Sequence, residues 1–322
     1  MVTFAGSPDR VEARLVPEQG YEFDTFSVSG LPRRPNAELL RAAGRALAAP
    51  SACREILRRR KPDVVLGAGG YVAGPMVLAA RVERIPCALT EADAHLGLAN
   101  RLAAPLADRV FLALPLGRQG KKYRAVGRPI PESSRPVERE EARRRLGLAV
   151  DARVVLVFGG SLGARVLNDL ALDAWAADGP AVIHLCGERD YPGLEGRVAR
   201  PDYLLQPFMD EIGVAYGAAD VALARAGGSV WELAAAGLPA VLVPGEFATG
   251  KHQEKNARWF AHAGGAVIVP EAEAARAPRV VEELLDDADR CAAMGASMRA
   301  FAKPDAAREI ADELVSLAAA RR

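Results

Sequence analysis

Three glycine-rich turns carry most of the residues in this sequence that could do chemistry. Gly67-Ala68-Gly69-Gly70-Tyr71-Val72-Ala73-Gly74-Pro75 directly follows the apolar run DVVL. Gly159-Gly160-Ser161-Leu162-Gly163-Ala164 follows RVVLVF and opens the helical ARVLNDL. Arg225-Ala226-Gly227-Gly228-Ser229-Val230-Trp231-Glu232 follows DVALA and opens SVWELAAAG. A glycine at a strand-to-helix turn lets a ligand approach the backbone. The helix that follows offers free N–H groups and a positive dipole end to an anion. Any one of these turns is equally well explained by a glycine that only packs helix on strand. Three in one chain point to a phosphate-bearing ligand. None spells G-x-x-x-x-G-K-[ST] or a full G-x-G-x-x-G, which argues against an ATPase P-loop and against a dinucleotide.

The polar residues beside these turns have paired readings. Glu232, in the first turn of a helix, can accept both hydroxyls of a ribose, or can be a carboxylate favoured by the helix dipole. His252-Gln253-x-x-Asn256-Ala257 follows the run PAVLVPG and suits sugar or phosphate recognition, or helix capping. Thr90–Arg101 gathers Glu91, Asp93, His95 and Asn100 past another strand end, with Glu91 and His95 as candidate general bases. A lone histidine beside a helix start is more often structural. Asp287-Ala288-Asp289 has the form of a metal-binding D-x-D but lies in a helical pattern with no strand before it, and reads as a solvated helix face. His184 reads as a strand residue with no metal partner nearby. No metal and no cofactor are expected.

These groups need a frame. Short apolar runs (PDVVLGAG, IPCALTEA, DRVFLAL, RVVLVFGG, AVIHLCG, DVALARAG, LPAVLVPG, GAVIVP) alternate with helical segments rich in Ala, Arg and Glu. That alternation predicts βαβ units with parallel sheets covered on both faces. A chain of 322 residues suits two domains. Gly127–Pro136, rich in proline and serine, is the expected linker. The sequence thus predicts an α/β protein of two doubly wound Rossmann-like domains facing a cleft, at residues 1–131 and 132–302. A last helix, 303–322, is expected to pack back on the first domain.

Composition narrows the partners. Net charge is +1, which gives no overall bias toward nucleic acid. The charge is uneven: residues 1–131 carry 20 Lys and Arg against 12 Asp and Glu, and the remainder carries 22 against 29. A basic first half suits an anionic partner. The four cysteines are far apart with no C-x-x-C, so no zinc site or disulfide framework is expected. The N-terminal MVTFAGSPDR has no apolar signal-peptide core, and the longest low-charge run, Val64–Ala80, is interrupted by glycines and Pro75.

Taken together, GAGGYVAGP, TEADAHLGLANR, GGSLGARVLN, ADVALARAGGSVWELAAAGLPAVLVP and HQEKNA resemble, in order and spacing, the inverting glycosyltransferases that add N-acetylglucosamine to lipid I and make lipid II of peptidoglycan. The resemblance covers nearly the whole chain. It implies the GT-B architecture, no cofactor, and UDP-N-acetylglucosamine and lipid I as partners. It also implies donor contacts from Ser161, Met209, Arg225, Gly227, Gly228, Ser229, Val230, Glu232 and Gln253, with Asp93 and Asn100 from the first domain. Four departures accompany it. The family opens with a strand and a Gly-rich loop ending in His, whereas VTFAGSPDRVEARLVPEQGYEF resembles the family's second βα unit. On that basis the chain is expected to lack the acceptor loop, and to bind donor while transferring poorly. The family's His-Glu-Gln-Asn reads Thr90-Glu91-Ala92-Asp93, and the third loop is one residue shorter. The Arg of Gly-Asn-Pro-Val-Arg is replaced by Pro131, with Arg128 close by as a substitute contact. Rival readings are a glycolipid synthase on the same scaffold, a UDP-sugar epimerase, and a non-catalytic UDP-sugar-binding homologue.

An acceptor embedded in the cytoplasmic leaflet implies a peripheral enzyme on that face of the plasma membrane, touching an anionic surface. Leu39–Lys61 combines Leu39, Leu40, Leu47, Ile56 and Leu57 with Arg41, Arg45, Arg54, Arg58, Arg59, Arg60 and Lys61. Pro50 is expected to divide it into two helical pieces, with the apolar and basic side chains together meeting lipid.

Overall fold

Residues 154–158 read VVLVF with all five side chains buried, the mark of a strand covered on both faces. The computed structural model describes residues 1–28, 37–117, 120–160, 163–245 and 252–320, with 37–47 described by backbone only. Met1–Gly127 with Ala307–Arg322 form one compact unit, and Arg128–Ala306 form the other.

Unit 1 contains β1 (Thr3–Gly6), α1 (Glu12–Glu18), β2 (Glu22–Thr25), α2 (Ala37–Arg60), β3 (Val65–Gly67), α3 (Gly70–Val82), β4 (Cys87–Glu91), α4 (Leu98–Ala103), β5 (Arg109–Leu112) and β6 (Tyr123–Ala125). Its strands form a parallel β1–β2 pair and a parallel four-stranded sheet in the order β3-β4-β5-β6. Helix α3 packs against β3, β4, α2 and α4, and buries Ala73, Met76, Val77, Ala79 and Ala80.

Unit 2 contains α5 (Arg139–Leu146), β7 (Val154–Phe158), α6 (Arg165–Trp175), β8 (Ala181–Leu185), α7 (Tyr191–Leu194), β9 (Tyr203–Gln206), α8 (Ile212–Ala218) and β10 (Val221–Ala224). It continues with α9 (Val230–Ala236), β11 (Ala240–Leu242), α10 (His252–His262), β12 (Ala266–Ile268), α11 (Ala277–Leu285) and α12 (Ala288–Phe301). Its six strands are all parallel, in the order β12-β11-β10-β7-β8-β9. The order reverses between β7 and β10, so a crevice is expected at their carboxyl ends, where such sheets bind ligands. The final helix, α13 (Ala306–Ala319), sets Ile310 against Ala88, Phe111 and Val126 of unit 1. There Glu313 also accepts from Arg109 Nε at 3.2 Å and from Arg124 Nη1 at 2.8 Å.

The segment Leu39–Lys61 differs from its sequence reading. Pro50 does not divide it: α2 runs unbroken from Ala37 to Arg60. An interior proline costs about 3 kcal/mol in an isolated helix. Here that cost is offset by packing, because Ala49, Cys53, Ile56 and Leu57 are buried in the unit 1 core. Ile56 and Leu57 are therefore core residues and do not face lipid. The arginines beside them are paired: Arg54 and Arg58 with Glu83, Arg59 with Asp24, and Arg60 with Asp24 and Glu22. Hydrogen bonding from Arg60, aided by Arg59, holds the Asp24 carboxyl below its ordinary pKa despite the opposing effect of burial. Leu39, Leu40, Arg41, Arg45 and Leu47 lie outside the described side chains. Asp287, half of the apparent metal motif, caps α12 by accepting the Arg290 N–H at 2.9 Å.

Candidate functional site

The crevice of unit 2 brings two of the Gly-rich turns together. Phe158 and Ala224 are register partners at the ends of β7 and β10, so Gly159 and Arg225 leave the sheet side by side. The first turn is built tightly. A Cβ on Gly163, whose φ is +73°, would lie 2.1 Å from the Cys186 carbonyl oxygen. That glycine is required for packing and for backbone conformation, whatever it does for a ligand. Ser161 lies outside the described residues.

The second turn carries a cation on its backbone. A Cβ on Gly228 would lie within 2.6 Å of the Arg128 guanidinium carbon and both of its terminal nitrogens. Only glycine therefore lets Arg128 rest on the turn. A partly buried positive group, an open Gly227 and the backbone N–H groups of residues 228 and 229 suit an anion at this place. Ser229 and Val230 begin α9, and Glu232 lies in its first turn. Glu232 Oε2 accepts two hydroxyl hydrogen bonds, from Ser134 Oγ at 2.9 Å and Tyr216 OH at 2.9 Å.

Two other residues expected to hold donor are used within the protein. Arg225 Nη1 donates to the Val243 carbonyl at 3.0 Å, and Nη2 bonds Glu271. Gln253 Oε1 accepts the Gly245 N–H at 2.9 Å, which fixes the backbone after β11. Arg225 and Gln253 are thus held as walls of the site, with Arg225 anchored through both terminal nitrogens. Asn256 is buried and donates to the Ala226 carbonyl at 3.3 Å, supporting the turn from behind. Met209 is partly exposed in the connection from β9 to α8.

Behind the first turn lies a network that sequence reasoning missed. His184 contacts Tyr203 OH through Nδ1 at 2.9 Å and Asn168 Oδ1 through Nε2 at 3.0 Å. Asn168 Nδ2 donates to the Cys186 carbonyl at 3.0 Å and to Asp190 Oδ2 at 3.0 Å. Burial lowers the His184 pKa to about 4, so the ring is neutral at pH 7. The only signal in the sequence was a histidine in an otherwise apolar strand.

In unit 1, the loop after β4 is organised by a buried carboxylate. Glu91 Oε2 accepts from Gly97 N at 2.8 Å and Asn100 Nδ2 at 2.9 Å, while Oε1 accepts from Asp93 N at 3.2 Å. These bonds commit both Glu91 oxygens to holding the loop. Asn100 also donates to the Thr90 carbonyl at 2.9 Å. With its amide nitrogen fixed by two acceptors, Asn100 Oδ1 is a buried acceptor without a donor among the described residues. His95 Nδ1 is buried and unpartnered in the same sense. The Gly67–Pro75 turn stands beside them: a Cβ on Gly69 would lie 3.9 Å from Asn100 Nδ2.

Comparison with known proteins gives concordant matches. The glycosyltransferase family 28 C-terminal domain matches residues 154–312, and the N-terminal domain of that family matches residues 1–112. The chain is 35% identical over 324 residues to the UDP-N-acetylglucosamine–N-acetylmuramyl-(pentapeptide) pyrophosphoryl-undecaprenol N-acetylglucosamine transferase of Halothermothrix orenii, covering 94% of this chain and 87% of the relative. It is 38% identical over 339 residues to the enzyme of that name in Mycolicibacterium smegmatis, covering 100% of this chain and 87% of the relative. Among solved structures it is similar to Acinetobacter baumannii MurG, with a TM-score of 0.78, 28% identity, and coverage of 98% of this chain and 91% of that one.

Proposed function

The chain belongs to glycosyltransferase family 28, and from that premise we propose that it transfers N-acetylglucosamine from UDP-N-acetylglucosamine to the C4 hydroxyl of the muramyl sugar of lipid I, making lipid II. The observation that carries the reading is the crevice of unit 2. A Gly-rich turn bears a guanidinium on its backbone, and a carboxylate held by two hydroxyls stands in the first turn of the helix that follows. A nucleoside diphosphate needs that pairing of a cationic cradle and a diol acceptor.

In this reading Glu232 accepts the ribose hydroxyls, and Arg128 with the 227–229 backbone faces the diphosphate. The C4 hydroxyl oxygen attacks the anomeric carbon and forms the new glycosidic bond. The bond from that carbon to the diphosphate oxygen breaks with inversion, and UDP leaves with the electron pair. Arg128 and the turn stabilise the charge that develops on the leaving group. His95 takes the hydroxyl proton, and Glu91 holds the loop that carries it. Asn100 Oδ1, the buried acceptor without a donor, orients a hydroxyl of the incoming sugar.

We also propose that unit 1 docks on the anionic cytoplasmic face of the membrane. No helix among the described residues is long and apolar enough to cross a membrane. Adjacent helices α3 and α4 expose Leu78, Val82, Leu98 and Leu102 at helical spacing. Arg81, Arg84 and Arg101 flank them, none with a carboxylate partner among the described residues. Apolar side chains rimmed by free cations suit an anionic interface.

The test of the donor assignment is calorimetric titration of UDP. Glu232→Ala should weaken binding by about 1–3 kcal/mol, or roughly 5- to 150-fold. Equal affinity in variant and parent would remove Glu232 from the site.

A further inference from the structure

Glu232 is held by groups that the transfer reaction does not itself require. We infer that Tyr216 and Ser134 are positioning residues for the ribose carboxylate, both donating to Glu232 Oε2 and leaving Oε1 to take the ribose diol. The inference rests on the assignment of Glu232 to ribose, and it adds two residues that act through Glu232 without touching the nucleotide.

Three observations support it. The first is that both hydroxyls are committed. Ser134 and Tyr216 are each 3% exposed, and each donates to the same carboxylate oxygen at 2.9 Å. No donor among the described residues reaches Oε1. Burial, reinforced by the charge of Glu232, raises the Tyr216 phenol far above its ordinary pKa. The phenol therefore keeps its proton at any assay pH, and the direction of that hydrogen bond is fixed.

The second observation is the rigidity of the mount. Helix α8 carries Gly213 and Gly217 one turn apart, on either side of Tyr216 in sequence. A Cβ on Gly213 would lie 1.9 Å from the Arg135 carbonyl oxygen, and one on Gly217 would lie 2.0 Å from that of Val137. The backbone of residues 133–137 therefore rests directly on α8, and Val137 N–H donates to the Gly213 carbonyl at 3.0 Å. The segment that enters unit 2 is clamped to the helix bearing Tyr216, and it delivers Ser134 to the same oxygen. The third observation is that the Tyr216 ring meets Phe158, the last residue of β7, edge-on at 6.2 Å. Tyr216 is thus wedged between the strand that opens the first Gly-rich turn of unit 2 and the carboxylate of the second.

A carboxylate at the start of a short helix would otherwise sample several rotamers, and nucleotide binding would have to freeze them. Holding one oxygen in advance removes that cost and aims the other. The effect should appear only with ligands that have a ribose diol.

The experiment compares UDP with 2′,3′-dideoxy-UDP, which lacks the diol, by calorimetry on the full chain and its Tyr216→Phe, Ser134→Ala and Glu232→Ala variants. The parent should prefer UDP by about 10-fold or more, and Glu232→Ala should erase the preference. Tyr216→Phe and Ser134→Ala should each reduce it by about 3-fold or more, with dideoxy-UDP affinity unchanged. In turnover, KM for UDP-N-acetylglucosamine should rise while kcat stays within about twofold, the signature of lost uniform binding. Variants that keep the parent's preference, or that lose both nucleotides equally, overturn the positioning role while leaving Glu232 on the ribose. A Glu232→Ala variant that keeps the preference instead overturns the ribose assignment beneath it. Ser134→Ala alters a different element and leaves the packing of Tyr216 on Phe158 untouched, so it carries the test if Tyr216→Phe does not fold.

Discussion

In the crevice of unit 2, Glu232, Arg225, Gln253, Asn256 and Asn168 all hold hydrogen-bond partners within the protein. Beside the Gly67 turn of unit 1, His95 Nδ1 and Asn100 Oδ1 are buried with none among the described residues. Paired groups are fixed before any ligand arrives, which suits recognition of a nucleotide of invariant shape. An unmet buried polar atom costs about 1–3 kcal/mol, a cost that a substrate hydroxyl removes on binding. Trp231 Nε1 and Trp259 Nε1 of unit 2 are also buried without a partner among the described residues, so the contrast holds for the named polar side chains at the two sites and not for the units as wholes. Preorganisation at one site and incompleteness at the other are the expected marks of a donor site and an acceptor site.

Acid should separate the two units most strongly. His184 has a folded-state pKa of about 4 against 6.5 when exposed, so unfolded chains gain protons first as pH falls. Its contribution is fully present above pH 6.5 and is lost as the pH falls from 6.5 to 4. The loss is on the order of 3 kcal/mol at pH 4. Asp24 has a lowered pKa, so its contribution to unit 1 is present above about 3.8 and is lost only as pH falls further, through its folded value. Hydrogen exchange resolved by segment should therefore show β8 and β9 loosening between pH 6.5 and 4, ahead of β2. Simultaneous loosening would remove the distinction.

The next effect sharpens the comparison at the unpaired end. His95→Phe removes a buried nitrogen that has no partner among the described residues, so the thermal midpoint should hold or rise. If His95 is the base, kcat should fall by about 100-fold or more in the same protein. A fall in stability with kcat intact would make His95 a structural residue after all.

The most salt-sensitive effect concerns the outer face of unit 1. Replacing Arg81, Arg84 and Arg101 together by Gln should weaken co-sedimentation with anionic vesicles by about 1 kcal/mol per charge, less at high salt. The folded state should be unaffected, because none of the three has a carboxylate partner among the described residues. Unchanged vesicle binding would move the membrane contact away from α3 and α4.

What was legible in the sequence was local. RVVLVF, AVIHLCG and DVALARAG each declared a buried strand by composition, and Gly159, Gly163 and Gly228 declared turns where a side chain would collide. Glu232 could be picked out because the glycines before it and the helix after it share one short stretch. Its holders could not: Ser134 lies 98 residues away, and Tyr216 sits in YGAAD, which carries no polar pattern. Arg54–Arg60 misled for the same reason, since a run of arginines beside Ile56 and Leu57 reads as an interface until Asp24 and Glu83 arrive from other elements. Glu91 was read as a base from its place after a strand. Only the fold shows Gly97 and Asn100 closing on it.

The central claim, transfer of N-acetylglucosamine to an undecaprenyl-linked muramyl acceptor, is tested most directly by incubating the chain with radiolabelled UDP-N-acetylglucosamine and lipid I and resolving the products. Label should appear in a lipid-linked β-1,4 disaccharide, with one UDP released per transfer. Donor that is bound but never transferred, or free UDP-sugar interconverted without any acceptor, would contradict it.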